Sequence, residues 1–214
     1  MKDVLNLKDY DLFIVDFDGT IVDTMEMWRH ICPSFIRSLG KTPQDDIYLK
    51  ITSKTNVEIS RFVRDEYLTE FSYEKVEDMF FDFIKEQYIK QDIKPNAIKL
   101  LLDMNDCGTV VLYSATAGSV LDVLLDKFDL KKYYKKIYSG SDLRLSKRDG
   151  SGYLEVIKFE GGCKKALVVE DAPHAIVGAK SKNLDVLAIL DYSNKDHLEL
   201  VEEYADYLID LEKY

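Results

Sequence analysis

The stretch Leu12-Phe13-Ile14-Val15-Asp16-Phe17-Asp18-Gly19-Thr20-Ile21-Val22-Asp23-Thr24 decides how the rest of the chain reads. Four apolar residues run into two carboxylates spaced by one residue, and Gly-Thr follows. A short unbroken apolar run bounded by turn residues suits a strand buried on both faces, as in a parallel sheet. Carboxylates at the end of such a strand need a cation or hydrogen-bond donors, because a bare buried charge is costly. Two readings fit this stretch taken alone. One is a strand stopping at an Asp-Gly turn. The other is a site at the carboxyl edge of an open α/β sheet, where such sheets bind ligands.

Outward from this stretch, the apolar runs 109–114, 136–139, 166–169 and 185–190 repeat the strand signal, and 207–211 reads as a short edge strand. Helical spacing fills 97–105, 118–128, 153–159 and 173–182, and the polar segment 143–152 reads as a loop carrying Lys147. Residues 24 to 93 differ, because nothing in them alternates as a strand should. Met27, Ile31, Phe35 and Leu39 recur at helical spacing, with Asp23 or Thr24 as a cap and Gly40 as a stop. Pro33 is expected to kink that helix. Thr42-Pro43-Gln44 is expected to restart one, and 55–67 and 72–88 give two more. The pattern predicts an α/β fold: a Rossmann-like parallel sheet with helices on both faces and right-handed crossovers, interrupted by an all-helical insertion. Residues 1–20 and 94–214 form the expected core domain, and 21–93 the helical one.

Composition narrows the function. The 214 residues are 46% hydrophobic and 32% charged, ordinary for a soluble globular protein. A formal net charge of −10 argues against a nucleic-acid backbone or an anionic membrane as the main partner, and leaves a small anion open. Cys32, Cys107 and Cys163 have neither disulfide-framework nor zinc-site spacing. The opening Met1-Lys2-Asp3-Val4 lacks a signal-peptide pattern, and no run approaches the roughly 20 apolar residues of a membrane span. A cytoplasmic protein, monomer or homodimer, is expected.

In a parallel sheet all strand carboxyl ends lie along one edge. Asp16, Asp18, Ser114, Glu170 and Asp171 are therefore expected to share a face, with Lys147 on a loop beside them. Converging carboxylates repel unless a divalent cation sits among them. Oxygen donors without His or Cys point to a hard cation, Mg²⁺ above all. A hydroxyl and an ammonium next to it make a site for a dianionic group such as phosphate.

This ordered set resembles the haloacid dehalogenase (HAD) superfamily over essentially the whole chain. Asp16-Phe17-Asp18-Gly19-Thr20 is similar to the first motif of that family, Ser114 to its second, Lys147 to its third, and Glu170-Asp171 to its fourth. The resemblance implies Asp16 as a nucleophile forming an aspartyl-phosphate and Asp18 as the general acid/base. It implies Ser114, Lys147 and the Ala115 N–H on the phosphoryl oxygens. Mg²⁺ would bind the Asp16 side chain, the Asp18 carbonyl and Asp171, with Glu170 a direct or water-mediated ligand. An Asp at position 18 favours phosphoryl transfer over dehalogenation. The helical insertion resembles the cap of the subgroup holding phosphoglycolate phosphatase and β-phosphoglucomutase, which implies closure over the site and small phosphorylated metabolites as substrates. Two departures stand out: Lys147-Arg148-Asp149-Gly150 replaces a Lys-Pro-x-Pro-like run, and Ala115 stands where Asn is common. A sugar-phosphate mutase is the first alternative, and a non-catalytic phospho-ligand sensor the second.

Other candidates read more plainly. Leu49 to Lys54 loosely resembles a mutase cap segment but reads better as a solvated helix start. Trp28 is expected to pack and His30 to lie at the surface, with Arg29 near the pocket. His174, His197 and the lysines at 131–132 and 135–136 are expected to be solvated.

Overall fold

A computed structural model describes residues 4–51 and 54–214. Residues 1–3, and Thr52 and Ser53 within the loosely mutase-like segment, lie outside the described residues. Six strands, β1 (Leu12–Val15), β2 (Thr109–Ser114), β3 (Lys136–Ser139), β4 (Ala166–Glu170), β5 (Asp185–Ile189) and β6 (Tyr207–Ile209), form one sheet in the order β3-β2-β1-β4-β5-β6. Every pairing is parallel. The chain steps outward from β1 in one direction, returns, and steps outward in the other. Right-handed crossovers on the two halves therefore place helices on both faces, and the reversal at β1 opens a crevice at the strand ends.

The local sequence explains the central strands. All four residues of β1 and all five of β4 are buried, which is why both read as unbroken apolar runs. Leu12, Ile14, Val111, Val168 and Val186 join Tyr113, Tyr153 and Ile176 in one core cluster. Of the edge strand expected at 207–211, only Tyr207–Ile209 is a strand. Between β5 and β6 the chain makes the 3₁₀ segment Tyr192–His197, about two turns long, and the helix Leu198–Tyr204, neither of them among the expected elements.

The chain divides into two compact units, Met1–Met25 with Gln91–Tyr214, and Glu26–Lys90. Among its described residues the second carries four helices, the first of which begins one residue before it: Met25–Ser38, Ile47–Ile51, Asn56–Tyr67 and Tyr73–Tyr88. Thr55 and Glu58 form a reciprocal capping box, and Ser72 caps the last helix by accepting from the Lys75 N–H. Phe35 packs its ring against Phe80 and Phe83, at 5.1 and 5.4 Å between centroids. The first helix runs on through Pro33, which is buried with Ile31, Cys32, Phe35 and Ile36, so packing of that face outweighs the missing N–H. One expectation changes here. No helix restarts at 42–44. The residue before a proline is pushed toward extended backbone, and the short helix begins only at Ile47. Trp28 lies against the Tyr88 ring at 5.9 Å, and His30 pairs with Glu26 and with the Tyr48 hydroxyl. Arg29, Lys54, His174 and His197 are exposed.

In the first unit the chain leaves and re-enters side by side. Val22 and Ile93 form an antiparallel bridge, the Asp23 N–H donates to the Asp92 carbonyl at 2.9 Å, and the Lys94 N–H donates to that of Ile21 at 2.9 Å. No helix among the described residues is long and apolar enough to cross a membrane.

Candidate active site

The site begins where the β1–β4 ladder ends. Val15 pairs with Val169, and the Asp16 N–H still donates to the Val169 carbonyl at 2.9 Å. Glu170 and Asp171 come next on the neighbouring strand. The two strands thus deliver three carboxylates, Asp16, Glu170 and Asp171, whose oxygens lie within 4.8 Å of one another, all buried. The turn after Asp18 makes the approach possible. Gly19 has φ of +80°, and a Cβ there would stand 2.2 Å from Asp171 Oδ2. Only glycine adopts that backbone readily and leaves room for the carboxylate. Thr20 Oγ1 donates to Asp171 Oδ1 at 3.3 Å.

Lys147 is the cation within this group. Its Nζ bridges Asp16 Oδ1 and Glu170 Oε1, the second at 2.6 Å, and the side chain is buried. The helix Pro173–Lys180 packs hard on the Lys147 backbone at Gly178, where a Cβ would meet the Lys147 carbonyl at 2.1 Å. A loop without the usual prolines is therefore held by close backbone packing.

Glu170 has its oxygens well occupied. Oε1 accepts from Lys147 and, at 3.0 Å, from the Tyr153 hydroxyl, while Oε2 accepts from the N–H groups of Asp171 and Ala172, both at 3.1 Å. Asp18 sits in different company. Thr24 Oγ1 donates to its Oδ1 at 2.8 Å, and Thr116 Oγ1 and Ser114 Oγ reach its Oδ2 at 2.7 and 3.4 Å. Ser114 Oγ also accepts from the Thr116 N–H at 3.1 Å. The neighbouring Ala115 is exposed at the end of β2.

The electrostatics follow from burial and from the excess of acid. Burial, then the Glu170 charge, raises the Asp16 carboxyl to about 7 against the pull of Lys147. Asp171 is raised well above the ordinary carboxylate range by burial, with Asp16, Glu170 and Asp191 adding to it. Burial works to lower Lys147, and the two carboxylates override it and raise the ammonium. Three ionised carboxylates around one lysine would leave negative charge uncompensated, which is why two of them favour holding a proton. The donors are oxygens only, so the cluster fits a hard divalent cation, with Asp16, Asp171 and Glu170 as its residues.

Residues 13–189 match the haloacid dehalogenase-like hydrolase family. The chain belongs to this family. Among curated relatives of this HAD-like hydrolase, a bifunctional riboflavin kinase/FMN phosphatase of Arabidopsis thaliana is 23% identical over 92% of the chain. A mitochondrial (DL)-glycerol-3-phosphatase of the same plant is 23% identical over 92%, and phosphoglycolate phosphatase 1 of Pseudomonas aeruginosa 23% over 93%. The chain spans about half the length of the first of these, 53%, and 70% and 76% of the others. Among solved structures, a HAD hydrolase of family IA, variant 3, from Entamoeba histolytica aligns with a TM-score of 0.75, 19% identity and 95% of both chains. CbbY from Rhodobacter sphaeroides, solved with phosphate, aligns at 0.73, 16% identity and 94% of both chains. At such identities these two structures speak for the HAD fold.

The structure of this hydrolase brings Asp16 and Glu170 onto Lys147, places an Asp171 carboxylate oxygen within 4.8 Å of theirs, and links Ser114 to Asp18. Sequence reasoning missed four participants. Thr24, taken as a helix cap, gives its hydroxyl to Asp18. Thr116 had a usable signal, a second hydroxyl in Ser114-Ala115-Thr116 at the end of a buried strand. Tyr153 and Asn194 had none. Asn194, far along the chain, donates to the Asp171 carbonyl at 3.2 Å and to that of Ile189 at 2.9 Å, and so ties the ends of β4 and β5.

Proposed function

We propose that this chain is a Mg²⁺-dependent phosphatase that hydrolyses a small phosphorylated metabolite through an aspartyl-phosphate on Asp16. The observation that carries the reading is the buried Asp16–Lys147–Glu170–Asp171 cluster at the carboxyl edge of the sheet. The relatives support it, since all three are named for phosphatase activity.

In this reading an Asp16 oxygen attacks phosphorus, and the bond from phosphorus to the leaving oxygen breaks while Asp18 gives that oxygen a proton. Water then attacks the phosphoryl group, Asp18 takes its proton, and the bond between phosphorus and Asp16 breaks to release inorganic phosphate. Ser114, the Ala115 N–H and Lys147 hold the phosphoryl oxygens, where the charge of the transition state is spread. The hydroxyls of Thr24 and Thr116 keep Asp18 turned toward the leaving group, and each can rotate as the proton comes and goes. Asp16, Asp171 and the Asp18 carbonyl, with Glu170, would hold Mg²⁺, which supplies charge neutralisation when bound. A cytoplasmic setting belongs to the same proposal, supported by three cysteines that are all free.

The test is turnover of p-nitrophenyl phosphate with and without Mg²⁺, followed by a panel of phosphorylated metabolites. Phosphate release that needs Mg²⁺ and disappears in Asp16→Asn supports the reading. Isomerisation of a sugar monophosphate without net phosphate release would instead mean a mutase. Phosphate binding with no turnover would mean a sensor.

A further inference from the structure

One buried hydroxyl next to the site has no part in the steps above. Tyr153 lies on the helix Ser151–Phe159, six residues beyond Lys147, and is 1% exposed. Its hydroxyl donates to Glu170 Oε1, the same oxygen that accepts from Lys147. The other Glu170 oxygen is fixed by two backbone N–H groups. The carboxylate is thereby held at both ends, and its direction sets where the Lys147 ammonium rests. The Tyr153 ring meets Tyr113 edge-on, at 5.3 Å and 89°, and Lys147 Nζ lies over the Tyr113 ring at 5.2 Å from its centre. Lysine alone is a flexible side chain whose ammonium is a point charge with rotatable donors. A phosphoryl group needs that charge in one place, since misplacement by about an ångström is enough to cost rate.

We propose that Tyr153 is a positioning residue for Lys147, acting through the Glu170 carboxylate. It touches neither the phosphoryl group nor the cation, and it sets the place of the charge that does. The role rests on the phosphatase reading, but part of its test does not.

The decisive variant is Tyr153→Phe, which keeps the ring against Tyr113 and removes only the hydroxyl. In the Mg²⁺-loaded protein, affinity for inorganic phosphate and kcat/KM on p-nitrophenyl phosphate should each fall by roughly tenfold, the low end of what losing one buried hydrogen bond to a charged group costs. Because Glu170 is also one of the residues that would hold Mg²⁺, both are read at saturating Mg²⁺, where a loss of cation affinity through it does not enter. A loss of fold alone would move none of these selectively. Tyr134→Phe is the control, since the Tyr134 hydroxyl is also buried and has no hydrogen-bond partner. That variant should stay within about twofold on every readout. Independently of turnover, competitive acetylation read by mass spectrometry should label Lys147 about threefold or more faster in Tyr153→Phe, because a buried ion pair loosened on one side exposes its amine. Equal Lys147 labelling in wild type and Tyr153→Phe overturns the proposal whatever the activity. So does an active enzyme whose phosphate affinity and kcat/KM ignore the substitution. A wild type without phosphatase activity, but with faster Lys147 labelling in the variant, sinks the phosphatase reading and leaves the positioning intact.

Discussion

β1 carries an acid at each end, and the two ends are finished in opposite ways. At the amino end, Asp11 accepts from the Lys164 and Lys165 N–H groups at 2.9 to 3.1 Å, which tie it to the start of β4. Those backbone bonds hold its carboxyl below the usual range. At the carboxyl end, Asp16 meets Glu170 and Asp171 with one lysine among them, and its carboxyl is pushed up. The first acid is satisfied by donors the fold already has. The second stands among more negative charge than the fold compensates. A strand end built to be stable matches donors to acceptors, whereas one built to bind leaves an imbalance for a ligand to remove.

The strongest way to break this contrast is to neutralise each acid in turn. Asp16→Asn should lower phosphate release by at least about a thousandfold, the scale seen when a nucleophile is removed. Asp11→Asn should stay within about twofold in turnover, as a surface change away from the chemistry does. Comparable losses from both would show that the two ends do not differ in kind. Next in size, Asp171→Asn should weaken Mg²⁺ by at least about tenfold, since even outer partners of a metal site cost that much. A thermal-shift titration with Mg²⁺ measures it.

The legibility of the two ends in sequence was unequal. Asp16-Phe17-Asp18-Gly19-Thr20 announces itself because an apolar strand running into acid and glycine has few uses, and the strand order follows from the alternation of strands and helices. Lys147 was legible by its place on a loop between two strand ends, and the family resemblance singled it out, because one lysine in a polar loop has no local signature. Asp11 gives no signal at all, since its partners are backbone N–H groups more than a hundred and fifty residues away. Tyr153 and Asn194 fail for the same reason, because contacts across sequence leave no periodicity. The restart expected at Thr42-Pro43-Gln44 failed locally, where the restriction before proline outweighed the propensity after it.

The pH dependence sharpens the contrast further. A carboxyl raised in the folded state above its unfolded value near 4 favours the protonated fold. Metal-free protein should therefore lose stability from Asp16 as pH rises from about 4 through about 7. Binding of Mg²⁺ requires the ionised form, so its gain in melting temperature should be larger at pH 8 than at pH 6. An equal gain at both would mean the cluster does not hold protons when empty of metal. The smallest effect lies at Asp11, whose lowered carboxyl contributes stability that is present above its unfolded value and lost as pH falls through the folded one. Urea midpoints of wild type and Asp11→Asn should differ slightly at pH 7 and converge in acid.

The paired segments at Val22 and Ile93 have a consequence for how such a protein can change over time. The outgoing and returning chain are hydrogen-bonded to each other before the helical unit begins, so the core holds both ends of the insertion itself. What lies beyond that doorway can grow, shrink or be exchanged at little entropic cost to the sheet, because closure has already been made at its base. The acidic edge of the sheet and the interchangeable cassette can then follow separate histories: one set of acids kept, many occupants tried.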